Sequence, residues 1–426
     1  MDLQPNYKGL QKTEPSKLTV GMYVAQLDRP WEETNFPLQG FYVRNAGMIE
    51  RIANNCSFVY VDPRRYDSKL GEVKLKAVVN DGTPHPAADT KLSARERLIP
   101  KVARNYENTV SISDEMPSAT TSLDEAEAIL SSCVVKLQSN GGFDINAIED
   151  AITPLVQSVM RNQTALAALT RMRRMDDYIF SHAISCSVWG AVLARELGLP
   201  PEDINQVAFA CSLLDLGKTT LPLDLLNSPD KPDDEQWLLL KDHVKRGVDL
   251  LNANGLEDQK ILNIIETHHE RHDGSGYPSG LAGNKIPAFG RIAGIVDSYD
   301  AMISDRPYAP ARSSYQAIQE IQKSAGTLFQ PELVEYFIRA IGVFPVGSIV
   351  ELNTGEVGVV LSQTDDSRLK PKLMLILEAN KQPREHLVII DLSNQLVESH
   401  QPLQWWITKE LPGNAYGIDP QKYFLG

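Results

Sequence analysis

A change of hydrophobic period near residue 342 constrains this chain more than any other feature. From about residue 144 to 342, apolar residues recur at three- and four-residue intervals. IEDAITPLVQSVM, SHAISCSVWGAVLARELG and QKILNIIETHH are examples. That spacing draws one apolar stripe along each helix, and such stripes are buried by packing helix on helix. After 342 the pattern becomes GSIVEL, EVGVVLS, KLMLILEA and HLVIIDL, short β-branched runs with NTGE as a turn between the first two. The chain therefore reads as mainly α in three parts. A small α/β domain with a flexible segment and a helix occupies 1–130, a helical domain 131–342, and a small β-rich module with an irregular tail 343–426.

Within the first part, GMYVAQL and FVYVDPRR read as strands and GMIERIANN as a short helix. LKAVVNDGTPHPAADTKLSARERL is rich in Pro, Gly, Asp and Thr and reads as a flexible surface segment. SLDEAEAILSSCVVKLQS has helical spacing, with Ser122 as its expected N-cap. In the tail, the adjacent Trp405 and Trp406 read as core of the last module.

The formal net charge of −13 argues against charge-driven binding to DNA, RNA or an anionic membrane. No run reaches the length of a membrane span, and the first residues lack the apolar region of a secretory signal. The four cysteines are scattered with no C-x-x-C pair, which reads as reduced, buried thiols and a cytoplasmic protein.

The chemistry-bearing residues lie in the helical part: His182, Asp215, His243, His268, His269 and Asp297. Any one of them alone reads as a hydrogen-bonded or solvated group. Together, imidazoles and carboxylates suit a hard-to-borderline divalent ion such as iron or manganese. A bridging carboxylate can hold two such ions close enough to activate water and to offset charge on a phosphodiester.

Those residues sit in a specific context. ETHHERHDGSGYPSGLAGNKIPAFGRIAGIVDSYDAMISDRPYAPA resembles the signature of the HD-GYP family, the bacterial cyclic di-GMP phosphodiesterases. SHAISC, at His182, and KDHVKRGVDLL, at His243 and Gly247, are similar to earlier elements of the same family. The likeness spans roughly 175–342. LTVGMYVAQLDRPWEETNFPLQGF resembles the uncharacterised domain that often precedes HD-GYP domains, over about 15–130.

The resemblance implies hydrolysis of cyclic di-GMP to linear pGpG, and on to GMP, at a metal centre. It implies that Asp215 bridges the ions and that Lys218 acts on the phosphate oxygens. Arg306 would contact guanine or phosphate. Tyr277 would either pack on a base or anchor its loop, and Gly274 and Gly276 would form tight turns near the ligand. The sequence also departs from the pattern. LLDLGK at 213–218 stands where the family has H-D-x-G-K, so Leu214 replaces a metal-ligating histidine. One ion would then keep Asp215, His243, His268 and His269 and bind firmly. The other would keep only His182, Asp215 and Asp297 and bind weakly. Cys211, one helical turn from Leu214, reads as a core residue and not as a substitute ligand. Tyr178, where some members carry a carboxylate, argues against a third ion. Ala309 follows RPY where a cation is common, and Gln330 replaces an aspartate. Two readings stay open: an impaired phosphodiesterase, or an inactive module that binds cyclic di-GMP or docks signalling proteins such as diguanylate cyclases.

Overall fold

The computed structural model describes residues 10–29, 40–43, 46–66, 103–138, 142–173, 178–226, 228–305, 310–363, 369–393 and 405–424. The polar stretch expected to be a flexible surface segment, from Leu75 to Leu98, lies outside them, as does Arg306.

The N-terminal sheet contains β1 (Gln11–Thr13), β2 (Met22–Leu27), β3 (Phe41–Tyr42) and β4 (Val59–Tyr66). They run antiparallel in the order β1-β4-β2-β3. Helix α1 (Ala46–Asn55) contributes Ile52 to a small core with Val24, Val59 and Val61. Strands β2 and β4 and the helix are those expected from sequence, whereas β1 and β3 were not expected.

Helix α2 (Ile112–Gln138) starts earlier than expected. Ser111 takes the capping role, its Oγ accepting from the Asp114 amide at 3.1 Å. Ser122 is not an N-cap but a buried residue inside the helix. The local capping bonds at 111–114 open the helix before the apolar stripe becomes regular. Met116, Leu123 and Leu130 of α2 join the core of the helices that follow.

Those helices are α3 (Ile145–Arg161), α4 (Gln163–Met172), α5 (Tyr178–Glu196), α6 (Pro201–Cys211), α7 (Leu223–Leu226), α8 (Asp234–Lys241), α9 (His243–Ala253), α10 (Gln259–Thr267), α11 (Ala288–Ile303), α12 (Ser314–Lys323) and α13 (Pro331–Ile341). The stripe of α3 is Ile145, Ile148, Ile152, Leu155 and Val159, all buried. Helix α5 is apolar on nearly every side and packs against α4, α6, α11 and α13. A helix of that composition belongs at the centre of a bundle.

The last part is an antiparallel sheet of β5 (Ile349–Leu352), β6 (Val357–Ser362), β7 (Lys372–Leu377), β8 (Pro383–Asp391) and β9 (Ile407–Leu411), in the order β8-β7-β6-β5-β9. The tail expected to be irregular thus supplies β9, with Val350 opposite Glu410. ITKEL is too short and polar to signal a strand, but β5 offers it an edge of unpaired backbone groups. Trp405 packs against this core, whereas Trp406 is 46% exposed and is not part of it. Glu410, its side chain only 4% exposed, ties the sheet to the helices. It pairs with Arg171 at 3.4 Å and accepts from the Tyr315 amide at 2.8 Å and the Ser348 hydroxyl at 2.9 Å. Among the described residues no helix is long and apolar enough to cross a membrane.

Candidate metal centre

Five segments bring the predicted ligands to one place. His182 comes from the first turns of α5. Asp215 comes from the turn that ends α6 and opens a 3-10 helix at Leu216–Thr220. His243 is the first residue of α9, and Asp297 lies in the middle of α11. His268 and His269 follow α10, which ends at Thr267. They were expected on a helix, about 100° apart. Instead the helix has ended, and the two rings lie 4.0 Å apart, both turned to the same side.

Close backbone approach fixes Asp215 against His243. A Cβ on Gly217 would lie 1.9 Å from the His243 carbonyl oxygen and 2.5 Å from the Gly247 nitrogen. Only glycine lets the D-x-G-K turn seat on the start of α9.

The ring orientations decide what this cluster can do. His243 Nδ1 bonds the Leu240 carbonyl at 2.7 Å, and His268 Nδ1 bonds the Ile265 carbonyl at 2.5 Å. A carbonyl only accepts, so both Nδ1 atoms carry the proton and both Nε2 atoms present lone pairs. Those two Nε2 atoms and Asp215 Oδ1 are buried with no hydrogen-bond partner among the described residues. Asp215 Oδ1 and His243 Nε2 face each other at 3.3 Å. Three acceptors buried together are unfavourable unless a cation lies among them. Ligand atoms of Asp215, His243, His268 and His269 all fall within 4.8 Å of one another, so this is a possible metal-binding group.

His182 forms the other half. Its Nδ1 donates to Asp300 Oδ2 at 2.7 Å, and Asp300 Oδ1 accepts from Trp189 Nε1 at 3.0 Å. Its Nε2 points at Asp297 Oδ1, 3.1 Å away, and Asp215 Oδ2, 3.4 Å away. The Cys186 sulfur lies 3.6 Å from the same Nε2. His182, Cys186 and Asp297 form a second group of potential ligands. Leu214 is fully buried in the apolar core, as is Cys211.

The electrostatics agree with ligand roles. Burial lowers the basicity of His243, His268 and His269, and takes His268 down to about 4, so these rings are neutral at pH 7. Burial by itself would raise the Asp215 carboxyl. The Lys218 ammonium, 2.5 Å from its Oδ2, and the surrounding imidazoles outweigh that and hold it far below the usual range. Burial pushes the Cys186 thiol up to about 12.

Above the cluster is a cleft of about 340 Å³, lined by Lys218, Trp237, Arg271, Tyr277, Met302 and Phe329 among others. Tyr277 stacks on the His269 ring at 4.6 Å. Gly274 has φ +85°. A Cβ on Gly276 would lie 2.4 Å from the His269 carbonyl oxygen, so the loop lies directly on the ligand backbone. Buried Glu270 holds that loop by accepting from the Ser279 and Leu281 amides at 2.7 and 2.8 Å. The Tyr178 side chain is outside the described residues. Sequence reasoning missed Cys186, Glu270, Arg271 and Asp300. Cys186 is four residues after His182 and Asp300 three after Asp297, so same-face helical spacing was the available signal.

Residues 155–333 match the model of the HD domain. The helical part of the chain thus carries an HD domain. Residues 10–148 match a domain of unknown function (DUF3391), and 349–397 match a KOW domain associated with HD domains. Helix α2 lies within the first of these segments, and strands β5 to β8 make up most of the second. The chain is 27% identical to a cyclic di-GMP phosphodiesterase of Pseudomonas aeruginosa, over 94% of each chain. It is 38% identical to a cyclic di-GMP phosphodiesterase of Thermotoga maritima, over 34% of this chain and 40% of that one. A solved HD-GYP-type protein from Bdellovibrio bacteriovorus is 16% identical, with a TM-score of 0.43, covering 77% of this chain and 98% of that one.

Proposed function

We propose that this HD-domain protein is a metal-dependent phosphodiesterase that hydrolyses cyclic di-GMP to linear pGpG and on to GMP. The observation that carries the reading is the meeting of three acceptors with no partner among the described residues, Asp215 Oδ1, His243 Nε2 and His268 Nε2, under an open cleft. The likeness along the full chain to a named cyclic di-GMP phosphodiesterase supports the substrate. The donor set suits iron or manganese, held firmly by Asp215, His243, His268 and His269 and more weakly on the His182–Asp297 side. When bound, such ions lower the pKa of water and neutralise charge on a phosphodiester.

The chain's own residues supply the rest. Asp215 presents one oxygen to each half of the cluster, which is what a bridging ligand needs. Lys218 stands at the cleft wall, its ammonium on Asp215 Oδ2, and would turn to the non-bridging phosphate oxygens once an ion takes its place there. Tyr277, already stacked on His269, anchors the loop, and Gly276 lets that loop close down. Gly274 supplies its turn, and Arg306 is proposed as a contact to guanine or phosphate. Four free, buried cysteines support a reducing compartment, and a cytoplasmic location is part of the proposal.

A second reading is favoured by one observation: Leu214 is buried where the family motif has a ligand. The protein would then bind cyclic di-GMP, or dock a partner such as a diguanylate cyclase, without turnover. The test is pGpG release with added manganese or iron. Asp215→Ala should abolish product and bound metal. Lys218→Ala should keep the metal and lose about 10²–10³ in kcat, the usual cost of one preorganised electrostatic donor. A parent protein that is fully metal-loaded, binds the nucleotide and releases no pGpG would replace the first reading with the second.

A further inference from the structure

We propose that Trp237 and Lys241 form a subsite for the half of the cyclic dinucleotide that lies beyond the metal cluster, the indole stacking a base and the ammonium binding the second phosphate. The inference rests on the phosphodiesterase reading above and deepens it. The two residues stand one turn apart on α8, so they share a face of that helix. Lys241 Nζ lies 5.6 Å from the centre of the Trp237 ring and 5.4 Å from the centre of the Tyr277 ring. Tyr277 in turn stacks on His269, 4.6 Å away. A continuous row of rings and one ammonium therefore leads from the metal cluster to Trp237. Trp237, Tyr277 and His269 all line the same cleft.

Packing does not account for this pair. Trp237 is 46% exposed, and α8 buries none of its residues. A capping box between Asp233 and Gln236 starts that helix without help from the indole. Lys241 forms no ion pair and no side-chain hydrogen bond among the described residues. The chemistry of the ligand calls for both side chains. A cyclic dinucleotide carries two phosphates and two purine bases, and only one phosphate can lie over the cluster. Among the described residues, the cations that line the cleft are already engaged. Lys218 sits on Asp215, and Arg271 donates to the His268 and Glu270 carbonyls at 3.0 and 3.1 Å. In a protein of net charge −13, the second phosphate needs a cation of its own. An exposed indole offers a purine a flat face to stack on, whichever base it is.

The test separates binding of the far half of the substrate from the reaction itself. The metal-loaded full chain is titrated with the phosphorothioate analogue of cyclic di-GMP, which resists hydrolysis. Turnover is compared between cyclic di-GMP and bis(p-nitrophenyl) phosphate, a diester with one phosphate and no purine. Lys241→Gln should weaken binding of the analogue at least about tenfold, the worth of a hydrogen bond to a charged group. Trp237→Ala should weaken it about tenfold through lost stacking. Lys241→Arg and Trp237→Phe should restore most of the loss. In the first two variants, kcat/KM for cyclic di-GMP relative to that for the small diester should fall about tenfold. Lys245→Gln, an exposed lysine on α9, should keep both readings. A parent that binds the analogue, with Lys241→Gln and Trp237→Ala binding it equally well, overturns the subsite and leaves the phosphodiesterase reading intact. Equal loss of rate on both substrates assigns the pair a structural role and also overturns it. A parent that neither binds the analogue nor cleaves cyclic di-GMP overturns the phosphodiesterase reading and this inference with it.

Discussion

Substituting Gly217 by alanine should separate the two halves of the Asp215–His243 pair. The new Cβ would start 1.9 Å from the His243 carbonyl oxygen and 2.5 Å from the Gly247 nitrogen. Both obstacles are backbone, so no side chain can turn aside. Reaching an ordinary contact of 3.4 Å requires the turn and α9 to part by about 1.5 Å. Metal–ligand distances tolerate only about 0.2 Å, so the displaced His243 can no longer share an ion with Asp215. The overpacking itself should cost about 1–3 kcal/mol of stability. Gly247 is the natural control, because it is the glycine that the H-x-x-x-G motif singles out. A Cβ there meets Gly217 at 3.4 and 3.7 Å, which is ordinary contact. Gly247→Ala also gains about 1 kcal/mol of helix propensity. Bound metal after dialysis and the melting temperature should both fall for Gly217→Ala and hold for Gly247→Ala. Equal behaviour of the two variants, in either direction, would refute the argument from close approach.

Asp300→Asn should leave the fold intact but weaken metal binding on the His182 side about 10–100-fold, because the carboxylate that fixes the ring is lost. Cobalt or zinc titration reads this, and an unchanged affinity would show that Asp300 serves only Trp189. Glu270→Ala removes the acceptor for the Ser279 and Leu281 amides, at about 1–3 kcal/mol for the groups left unpaired. Faster proteolysis or hydrogen exchange at 273–281 with metal content retained is the expected result. Glu410→Ala strands the buried Arg171 guanidinium and should cost about 3–5 kcal/mol. The double change Arg171→Met with Glu410→Leu should recover much of it in a melting experiment, and no recovery would sink the ion-pair account.

The helices, strands β2 and β4 to β8, and the six residues that the structure brings together were legible because each rests on short-range pattern. The periods of 3.6 and 2 report which side of an element is buried, and the change near 342 marks where helices give way to strands. His182, His243 and Asp297 could be named because their motifs lie within single elements. Strand β9 was not legible, since ITKEL becomes a strand only by pairing with β5. Ser122 looked like a cap only because the bonds at Ser111 depend on local geometry that composition does not display. At the candidate site, the sequence by itself determined which residue types were present and that one histidine was missing. Only the tertiary structure decided that Gly217, and not Gly247, carries the close approach, that Asp300 aims His182, and that the thiol nearest that ring is Cys186 and not Cys211. The reason is physical. Hydrophobic period is set by neighbours three or four residues away, whereas the lone pairs that surround an ion are contributed by segments far apart in the chain. Their directions are fixed only when the core between them is packed.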